Sequence, residues 1–328
     1  MTRPRRASPR RAFALIALLG VLAVGLAAAL ALLAGRAPSP PGPATSFIAP
    51  RLSAAALAAD DGGLTAAQRA AAAELAAQPT AYWLTPERHP AGTVDATIEA
   101  LAEQARQESA AFAVVVYGLP GRDCGNHSAG GLEGAAYTEW VEEIGAALDA
   151  AGGTRVVVLE PDSLALAEEC GGLAQRAPLL RAAVDALESP GTWIYLDGGH
   201  SGWHSPERMA ALIEAVGVTD RVRGFATNVS NYRAMTDELA YAHELSALLG
   251  GAHAVIDSSR SGSATADGEW CNPPQQRIGP RAGEYGDDVV DLNLWIKPPG
   301  ESDGPCRGAP DAGQWWPDGA VSLLRAAS

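Results

Sequence analysis

Lysine is almost absent from this chain of 328 residues, which carries 24 Lys and Arg side chains against 38 Asp and Glu side chains. The formal net charge is −14. The rest of the chain is more acidic still, because five arginines lie within the first eleven residues (Arg3, Arg5, Arg6, Arg10 and Arg11). Such a surface repels phosphate backbones, which argues against nucleic acid as a partner. We expect a neutral or cationic ligand instead.

Three catalytic or metal-binding motifs are also missing from the sequence. The chain has no Gly-x-Ser-x-Gly elbow, which disfavours a Ser-His-Asp hydrolase built on Ser128 and His200. The glycine-rich segment 118–131 lacks the Lys-Ser/Thr ending of a phosphate-binding loop and carries an acid, so we interpret it as a mobile loop over a cleft. No two cysteines have CxxC spacing, and we expect neither a metal site nor a cofactor.

An uncharged apolar run covers residues 12–35, directly after the arginine cluster. It is long enough to span a bilayer, and its alanine-rich end offers sites for signal cleavage. Both alternatives stay open: residues 1–36 form an export signal or a membrane anchor, which would give membrane attachment through residues 12–35. In either case the body lies outside the cytoplasm, either secreted or anchored on the extracellular side. Residues 37–46 form a Pro/Ser-rich linker, and the folded domain is expected over 47–328.

The cysteine count fits an exported protein, in which an even number of cysteines normally pairs. Four cysteines allow three pairing patterns, and local pairing is the simplest choice. It would join Cys124 to Cys170 and Cys271 to Cys306.

Strand-like and helix-like segments alternate along the body. The strand candidates are 81–84, 112–117, 155–160, 193–197, 223–227, 253–257 and 292–297. Helical segments are predicted at 94–107, 136–150, 175–187, 206–216 and 235–249, with an alanine-rich helical region over 52–77. Seven strand–helix units predict an α/β fold with about seven parallel strands, and we expect a closed or nearly closed barrel.

Polar residues gather where these predicted strands end. Asp162 follows the apolar run 155–160 and precedes a segment compatible with a helix, so it has two interpretations: a helix N-cap or a catalytic acid. Matching polar residues at the other strand ends favour a shared site at one mouth of a barrel. They are Tyr117, Asp197, Asn228, Asp257 and Lys297.

Three carboxylates, those of Asp123, Asp162 and Asp303, are expected to share a cleft at this mouth. Clustered like charges and partial burial raise the pKa of one carboxyl until it holds a proton near neutrality, which is what a departing glycosidic oxygen requires. A calcium site also uses several carboxylates, but these lie on distant loops rather than at EF-hand spacing.

Tryptophans supply a second indication of carbohydrate. Trp83, Trp203 and Trp270 stand at strand ends or in loops, beside polar residues and glycine. Aromatic faces stack on the apolar faces of sugar rings. The only lysine, Lys297, lies at a predicted strand end, where a compact ammonium group can bind hydroxyls.

Several long segments resemble the family 6 glycoside hydrolases, which are cellulases, and they occur in the order found in that family. They are VVVYGLPGRDCGNHSAGG (114–131), VVVLEPDSLA (156–165), YLDGGHSGWHSP (195–206), GFATNVSNY (224–232), AVIDSSRSG (254–262), EWCNP (269–273) and WIKPPGESDG (295–304). The resemblance implies a distorted barrel of about seven parallel strands and hydrolysis of β-1,4-glucan with inversion of anomeric configuration. It also implies local cysteine pairing.

Residue roles follow from the resemblance, position by position. Asp162 would be the general acid, Asp123 would raise its pKa, and Asp303 would be the base. Asp197 would hold an electrostatic place in the cleft, and Tyr117 would crowd the sugar ring at the cleavage point. Sugar-binding positions would be Trp83, Ser128, His200, Trp203, Asn228, Trp270, Lys297 and Glu301.

The mode of attack is expected from loop length. Segments 261–270 and 306–314 are short, which favours an open cleft and an endoglucanase that cuts internal bonds. The alternatives are a cellobiohydrolase that acts from chain ends and a non-catalytic surface protein that binds glucan. The expected partner is a β-1,4-glucan polysaccharide or oligosaccharide, and we expect the protein to be a monomer.

Overall fold

The fold is taken from a computed structural model, which describes residues 38–128, 130–169, 172–263, 265 and 268–325. Its helices are α1 (Ala54–Ala59), α2 (Ala66–Ala76), α3 (Val94–Glu108), α4 (Gly134–Ala151), α5 (Leu173–Leu187), α6 (Pro206–Val216), α7 (Met235–Leu248) and α8 (Pro317–Leu324). Its strands are β1 (Tyr82–Leu84), β2 (Phe112–Val116), β3 (Arg155–Leu159), β4 (Thr192–Asp197), β5 (Gly224–Thr227), β6 (His253–Asp257) and β7 (Val290–Leu294). Short 3₁₀ turns cover Asp123–Gly125 and Cys306–Gly308.

The seven strands form one parallel sheet in the order β1 to β7. A parallel bridge between Thr80 and Trp295 joins the two edges, and the Ala81 N–H donates to the Trp295 carbonyl at 2.8 Å. The sheet therefore curls into the distorted α/β barrel that the sequence predicts. All seven carboxyl ends face one mouth, as parallel pairing requires.

Alternate residues of each strand pack on opposite faces of the sheet. In β2, Val114 and Val116 pack with the surrounding helices, whereas Val115 packs inside the barrel. Tyr117 comes one residue after β2 and continues this inner face. The strand periodicity thus directs the Tyr117 side chain into the mouth of the barrel.

The segment after β3 decides between the two interpretations of Asp162, and the helix predicted over 175–187 is confirmed. Residues 161–169 form consecutive turns, and α5 begins only at Leu173. Glu160 and Asp162 both have left-handed backbone conformations, with φ of 51° and 65°. Asp162 therefore caps no helix, and the N-cap interpretation is wrong.

The cysteine prediction is confirmed for one pair. Cys271 and Cys306 form a disulfide across 35 residues. Cys124 is also in a disulfide, whereas its predicted partner, Cys170, lies outside the described residues. The Cys271–Cys306 bond links the loop of Trp270 to the loop of Asp303.

The predicted signal or anchor, 1–36, also lies outside the described residues. No helix within 38–325, as far as the structure describes this range, is long and apolar enough to cross a membrane.

Candidate active site

A cavity of about 400 Å³ opens at the carboxyl ends of the strands. Most of the side chains predicted from the sequence line it. These are Trp83, Tyr117, Asp123, Ser128, Asp162, His200, Trp203, Trp270, Lys297 and Asp303. The structure thus brings residues from 83 to 303 into one cleft, which is lined by both carboxylates and aromatic rings.

Asp162 stands on the turn directly after β3. Its backbone N–H donates to Asp197 Oδ2 at 3.0 Å, which fixes the left-handed turn that aims the side chain. Removal from bulk water raises the pKa of the Asp162 carboxyl well above its usual range, and the negative charges of Asp197, Asp123 and Asp303 raise it further. Asp162 therefore releases its proton less readily than an ordinary aspartic acid side chain.

Asp197 lies beneath Asp162 and does not line the cavity. Its Oδ2 also accepts from the Gly199 N–H at 3.1 Å, so one carboxylate fixes both the β3 and the β4 loop. Burial raises the pKa of Asp197 to about 7, although the two N–H donors oppose this shift. The position suits a residue that orients Asp162 and supplies negative charge.

The Asp303 carboxylate accepts hydrogen bonds from three groups. Arg260 Nη1 donates to Oδ1 at 2.7 Å, while the Tyr232 hydroxyl and the Asn272 N–H donate to Oδ2 at 2.6 and 3.0 Å. The Arg260 and Asp303 side chains are only 2% and 5% exposed. A carboxylate that accepts from a buried guanidinium and two further donors is held in one position, with three of its lone pairs already in use.

Asp123 has a different environment on the 3₁₀ turn after β2. Its Oδ1 is buried and has no hydrogen-bond partner among the described residues. Arg122 orders this loop, because Nη1 donates to the Tyr117 carbonyl at 2.7 Å and Nε donates to the Ser128 carbonyl at 2.9 Å. The loop thus presents an unoccupied carboxylate oxygen inside the cleft.

Two aromatic groups line the cleft at different strand ends. The rings of Trp83 and Tyr117 pack edge to face, with their centroids 5.2 Å apart. Trp83 Nε1 donates to the Ile296 carbonyl at 2.8 Å. Lys297 Nζ lies 5.6 Å from the Trp83 ring. At the end of β4, the ring centroids of Trp203 and His200 lie 5.5 Å apart. Burial and the charge of Arg233 lower the pKa of His200 to about 4. His200 is therefore neutral; its Nδ1 accepts from the Gly202 N–H at 3.1 Å, so its Nε2–H is the group that can donate to a hydroxyl.

Two predicted sugar-binding residues lie away from the cleft wall. Asn228 is fully buried, donates to the Asp257 carbonyl at 2.8 Å and accepts from the Arg233 N–H at 3.0 Å. Glu301 lines a neighbouring cavity. The cleft wall also contains polar and charged residues that sequence reasoning did not select: Asn126, Glu169, Ser230, Asn231, Tyr232, Arg233, Glu269 and Ser302.

Asp257, named from its strand end alone, supports several of these loops. It is completely buried and accepts four backbone N–H bonds. The donors are Ser230 at 3.1 Å, Ser259 at 2.9 Å, Ile296 at 3.1 Å and Lys297 at 2.9 Å. One carboxylate thereby fixes the segments that carry Tyr232, Arg260 and Lys297.

Glu160 is a positioning residue that sequence reasoning did not select, although it precedes Pro161-Asp162. It is completely buried and accepts from the Gly118 N–H at 2.9 Å and the Leu119 N–H at 3.0 Å. These bonds connect the end of β3 to the loop that leads from Tyr117 to Asp123. The signal in the sequence was an acidic residue ending an apolar strand.

Replacing Glu160 with glutamine should change how stability depends on pH. Burial raises the Glu160 pKa from 4.5 to about 7, so between these pH values the unfolded chain releases this proton while the folded protein keeps it, and the stability it contributes is lost by the time pH has risen through 7. The wild type should therefore lose about 3 kcal/mol of unfolding free energy relative to Glu160→Gln between pH 4.5 and 8. Urea unfolding across this range measures the difference.

The exposed Glu142 provides the matched control. Glu142→Gln should follow the wild-type curve. If the curve of Glu160→Gln also runs parallel to the wild type, the buried carboxyl does not carry this proton.

Comparisons with known proteins agree with this geometry. The model of the glycosyl hydrolases family 6 matches residues 44–327. Endoglucanase A of Cellulomonas fimi is 39% identical over 259 residues, which is 77% of this chain and 55% of that protein. Endoglucanase 1 of Streptomyces sp. (strain KSM-9) is 40% identical over 245 residues, covering 72% of this chain and 67% of the relative. The chain thus spans about half the length of the Cellulomonas relative.

Solved structures are also similar to this chain. The endoglucanase Cel6 from Mycobacterium tuberculosis, in complex with a thio-linked cello-oligosaccharide derivative, has a TM-score of 0.79 and 35% identity, covering 86% of this chain and 98% of that one. The catalytic core of cellobiohydrolase Cel6A from Chaetomium thermophilum has a TM-score of 0.76 and 26% identity, covering 87% and 98%. With the family model matching almost all of the described body, the chain belongs to family 6 of the glycosyl hydrolases.

Proposed function

We propose that this protein hydrolyses β-1,4-glucan with inversion at the anomeric carbon and that Asp162 is the general acid. The observation that carries the proposal is the position of the Asp162 carboxyl beside three other carboxylates in a cleft lined with tryptophan, where desolvation and these charges raise its pKa. A glycosidic oxygen needs a proton as it departs. A protein that only binds glucan needs the aromatic rings but not this buried carboxylate cluster.

Inversion requires a water on the face of the sugar opposite the acid, and a group that takes the proton of that water. Three lone pairs of Asp303 already accept bonds from Arg260, Tyr232 and Asn272, which leaves little room for a water at this carboxylate. Asp123 offers an unoccupied oxygen. We therefore assign Asp303 to electrostatic stabilisation of the cationic transition state, and proton removal to Asp123 acting through a water.

Internal cutting is the favoured mode. The Cellulomonas and Streptomyces relatives are named endoglucanases, and the segments 261–270 and 306–314 are short. A short loop leaves the cleft open, so a long glucan can enter along its length. Action from chain ends is the second candidate, because a cellobiohydrolase core shares the fold.

Carboxymethylcellulose distinguishes the two modes. Internal cutting should lower the viscosity steeply while few reducing ends appear, because each cut near the middle of a chain strongly shortens it. Viscosity and reducing ends are measured on the same samples over time. Slow viscosity loss with cellobiose as the dominant early product would instead indicate action from chain ends.

The proposed place of action is outside the cytoplasm, where a glucan polymer is accessible. The arginine-rich start and the apolar run 12–35 support it. Determining the N-terminal residue of the exported protein distinguishes a cleaved signal from a retained anchor.

A further inference from the structure

Arg176 is a buried cation in the first turn of α5, and only 3% of its surface is exposed. Two physical effects oppose a cation at this place. Burial removes the guanidinium from water, and the first turn of a helix itself carries partial positive charge. Both of its hydrogen-bond acceptors are backbone carbonyls rather than carboxylates. A residue that is unfavourable for its own helix calls for a role elsewhere in the molecule.

The two carbonyls that Arg176 binds belong to the two segments that carry Asp123 and Asp162. Nη1 donates to the Ser163 carbonyl at 3.0 Å, and Nη2 donates to the Gly121 carbonyl at 3.1 Å. Ser163 directly follows Asp162, and Gly121 lies two residues before Asp123. One planar guanidinium therefore connects the turn after β3 to the loop after β2.

Both segments need support from outside, because Asp123 and Asp162 have left-handed backbone conformations, with φ of 56° and 65°. Such a conformation costs a residue other than glycine about 1–2 kcal/mol. The Asp197 carboxylate accepts from the Asp162 N–H on one side of its turn. Arg176 binds the carbonyl on the other side, so the turn is held at both ends.

The charges around Arg176 also come from this region. Desolvation lowers the pKa of the guanidinium, whereas the negative charges of Glu160 and Asp123 oppose this shift. Glu160 accepts from the N–H groups of Gly118 and Leu119 at the start of the same loop. The loop that carries Asp123 is thus bound through its N–H groups by a buried acid and through a carbonyl by a buried cation.

We propose that Arg176 is a positioning residue for the hydrolysis, which sets the loop of Asp123 against the turn of Asp162. The proton donor and the group that takes the proton of the water then act on the same glycosidic bond. The inference rests on the proposed function, because inversion needs both groups in position at once. Arg176 is absent from the cleft wall and acts through these two segments. A displacement of about 1 Å in a reacting group can cost about 10²-fold in rate.

Arg176→Lys keeps the charge but replaces the planar fork with a single ammonium group, which cannot bind both carbonyls in the same geometry. On a soluble β-glucan, we expect kcat to fall by about 10- to 100-fold and KM to stay near the wild-type value. Arg181→Lys is the matched control and should keep the wild-type kcat. Arg181 is an exposed residue of the same helix and donates to the Val216 carbonyl. Urea unfolding establishes conditions in which every variant is folded.

A double-mutant cycle separates positioning from a general structural effect. With Asp123→Asn already present, Arg176→Lys should lower kcat by less than about threefold, because the loop that it aligns no longer carries the proton acceptor. The same loss in both backgrounds overturns the positioning role, as does a change confined to KM or a kcat equal to that of Arg181→Lys. Arg176→Gln replaces the lysine variant if that variant does not fold. Failure of both to fold assigns Arg176 to overall stability and also overturns the proposal.

Hydrogen exchange followed by mass spectrometry tests the two contacts without hydrolysis. The segments 118–128 and 160–168 should exchange faster in Arg176→Lys than in the wild type or Arg181→Lys. Unchanged exchange in both segments, in a wild type that hydrolyses glucan, overturns this inference alone. A wild type that hydrolyses no glucan overturns the proposed function, and with it the catalytic use of these contacts.

Discussion

Asp162→Asn is expected to lower kcat on a soluble β-glucan by about 10²–10⁴-fold, the usual contribution of a general acid. Asparagine has nearly the same shape as the protonated carboxyl but has no proton to give to the leaving oxygen. Glucan binding should stay near the wild-type value, because the tryptophans and Lys297 are untouched. Initial hydrolysis rates test the expected loss of kcat, and a separate binding measurement on the same sample tests the unchanged affinity for glucan.

A leaving-group comparison separates an acid from a structural residue. In an aryl cellobioside with a strongly acidic phenol, the phenolate leaves without being protonated. Asp162→Asn should therefore impair hydrolysis of this substrate far less than hydrolysis of an alkyl glycoside or of glucan. Asp318→Asn, which changes an exposed carboxylate, is the control and should behave as the wild type. Equal losses on all substrates would assign Asp162 a structural role and contradict the proposal.

Asp303→Asn should cost about 3–5 kcal/mol of unfolding free energy, as well as most of the activity. The substitution leaves the guanidinium of Arg260 buried without a counter-charge, since the two side chains are only 2% and 5% exposed. Removing the second charge as well, in Asp303→Asn with Arg260→Met, should recover part of the stability but none of the activity. Urea unfolding and glucan hydrolysis measure the two effects.

The surface pair of Arg106 and Glu103, whose side chains are 54% and 53% exposed, provides the control. Glu103→Gln should leave the unfolding free energy indistinguishable from that of the wild type, because solvent screens an exposed pair. A separate experiment with azide tests the role of Asp303 in catalysis. Azide is added to Asp303→Ala, whose smaller side chain leaves space for the anion. Restored activity with formation of a glycosyl azide would identify Asp303 as the base and contradict the fixed-charge role.

The barrel and most of the cleft wall could be predicted because parallel strands impose a simple geometry. Strand ends that are far apart in sequence must meet at one mouth, so Tyr117, Asp162 and Lys297 could be placed together from local apolar runs. Tryptophans beside glycine in loops could be assigned to the cleft for a similar reason, since no apolar run was available to bury them. The prediction succeeded where position along a strand decides which way a side chain points.

The supporting contacts could not be predicted because they depend on backbone turns between strands. A polar residue at a strand end looks the same whether it faces substrate or holds a neighbouring loop, which is why Asn228 was expected in the cleft and is buried behind it. Glu160 was overlooked for the same reason, since its role comes from N–H groups of the loop at 118–119. The left-handed turn at Asp162, which rules out the N-cap interpretation, could not be predicted because Asp197 stabilises it from another strand.

The anomeric configuration of the first product tests the central claim most directly. Cellohexaose is hydrolysed by the wild-type protein, and proton nuclear magnetic resonance follows the new reducing end before mutarotation. Inverting hydrolysis predicts that the α-anomer appears first and then equilibrates. Initial formation of the β-anomer, or no cleavage at all, would contradict the proposed mechanism.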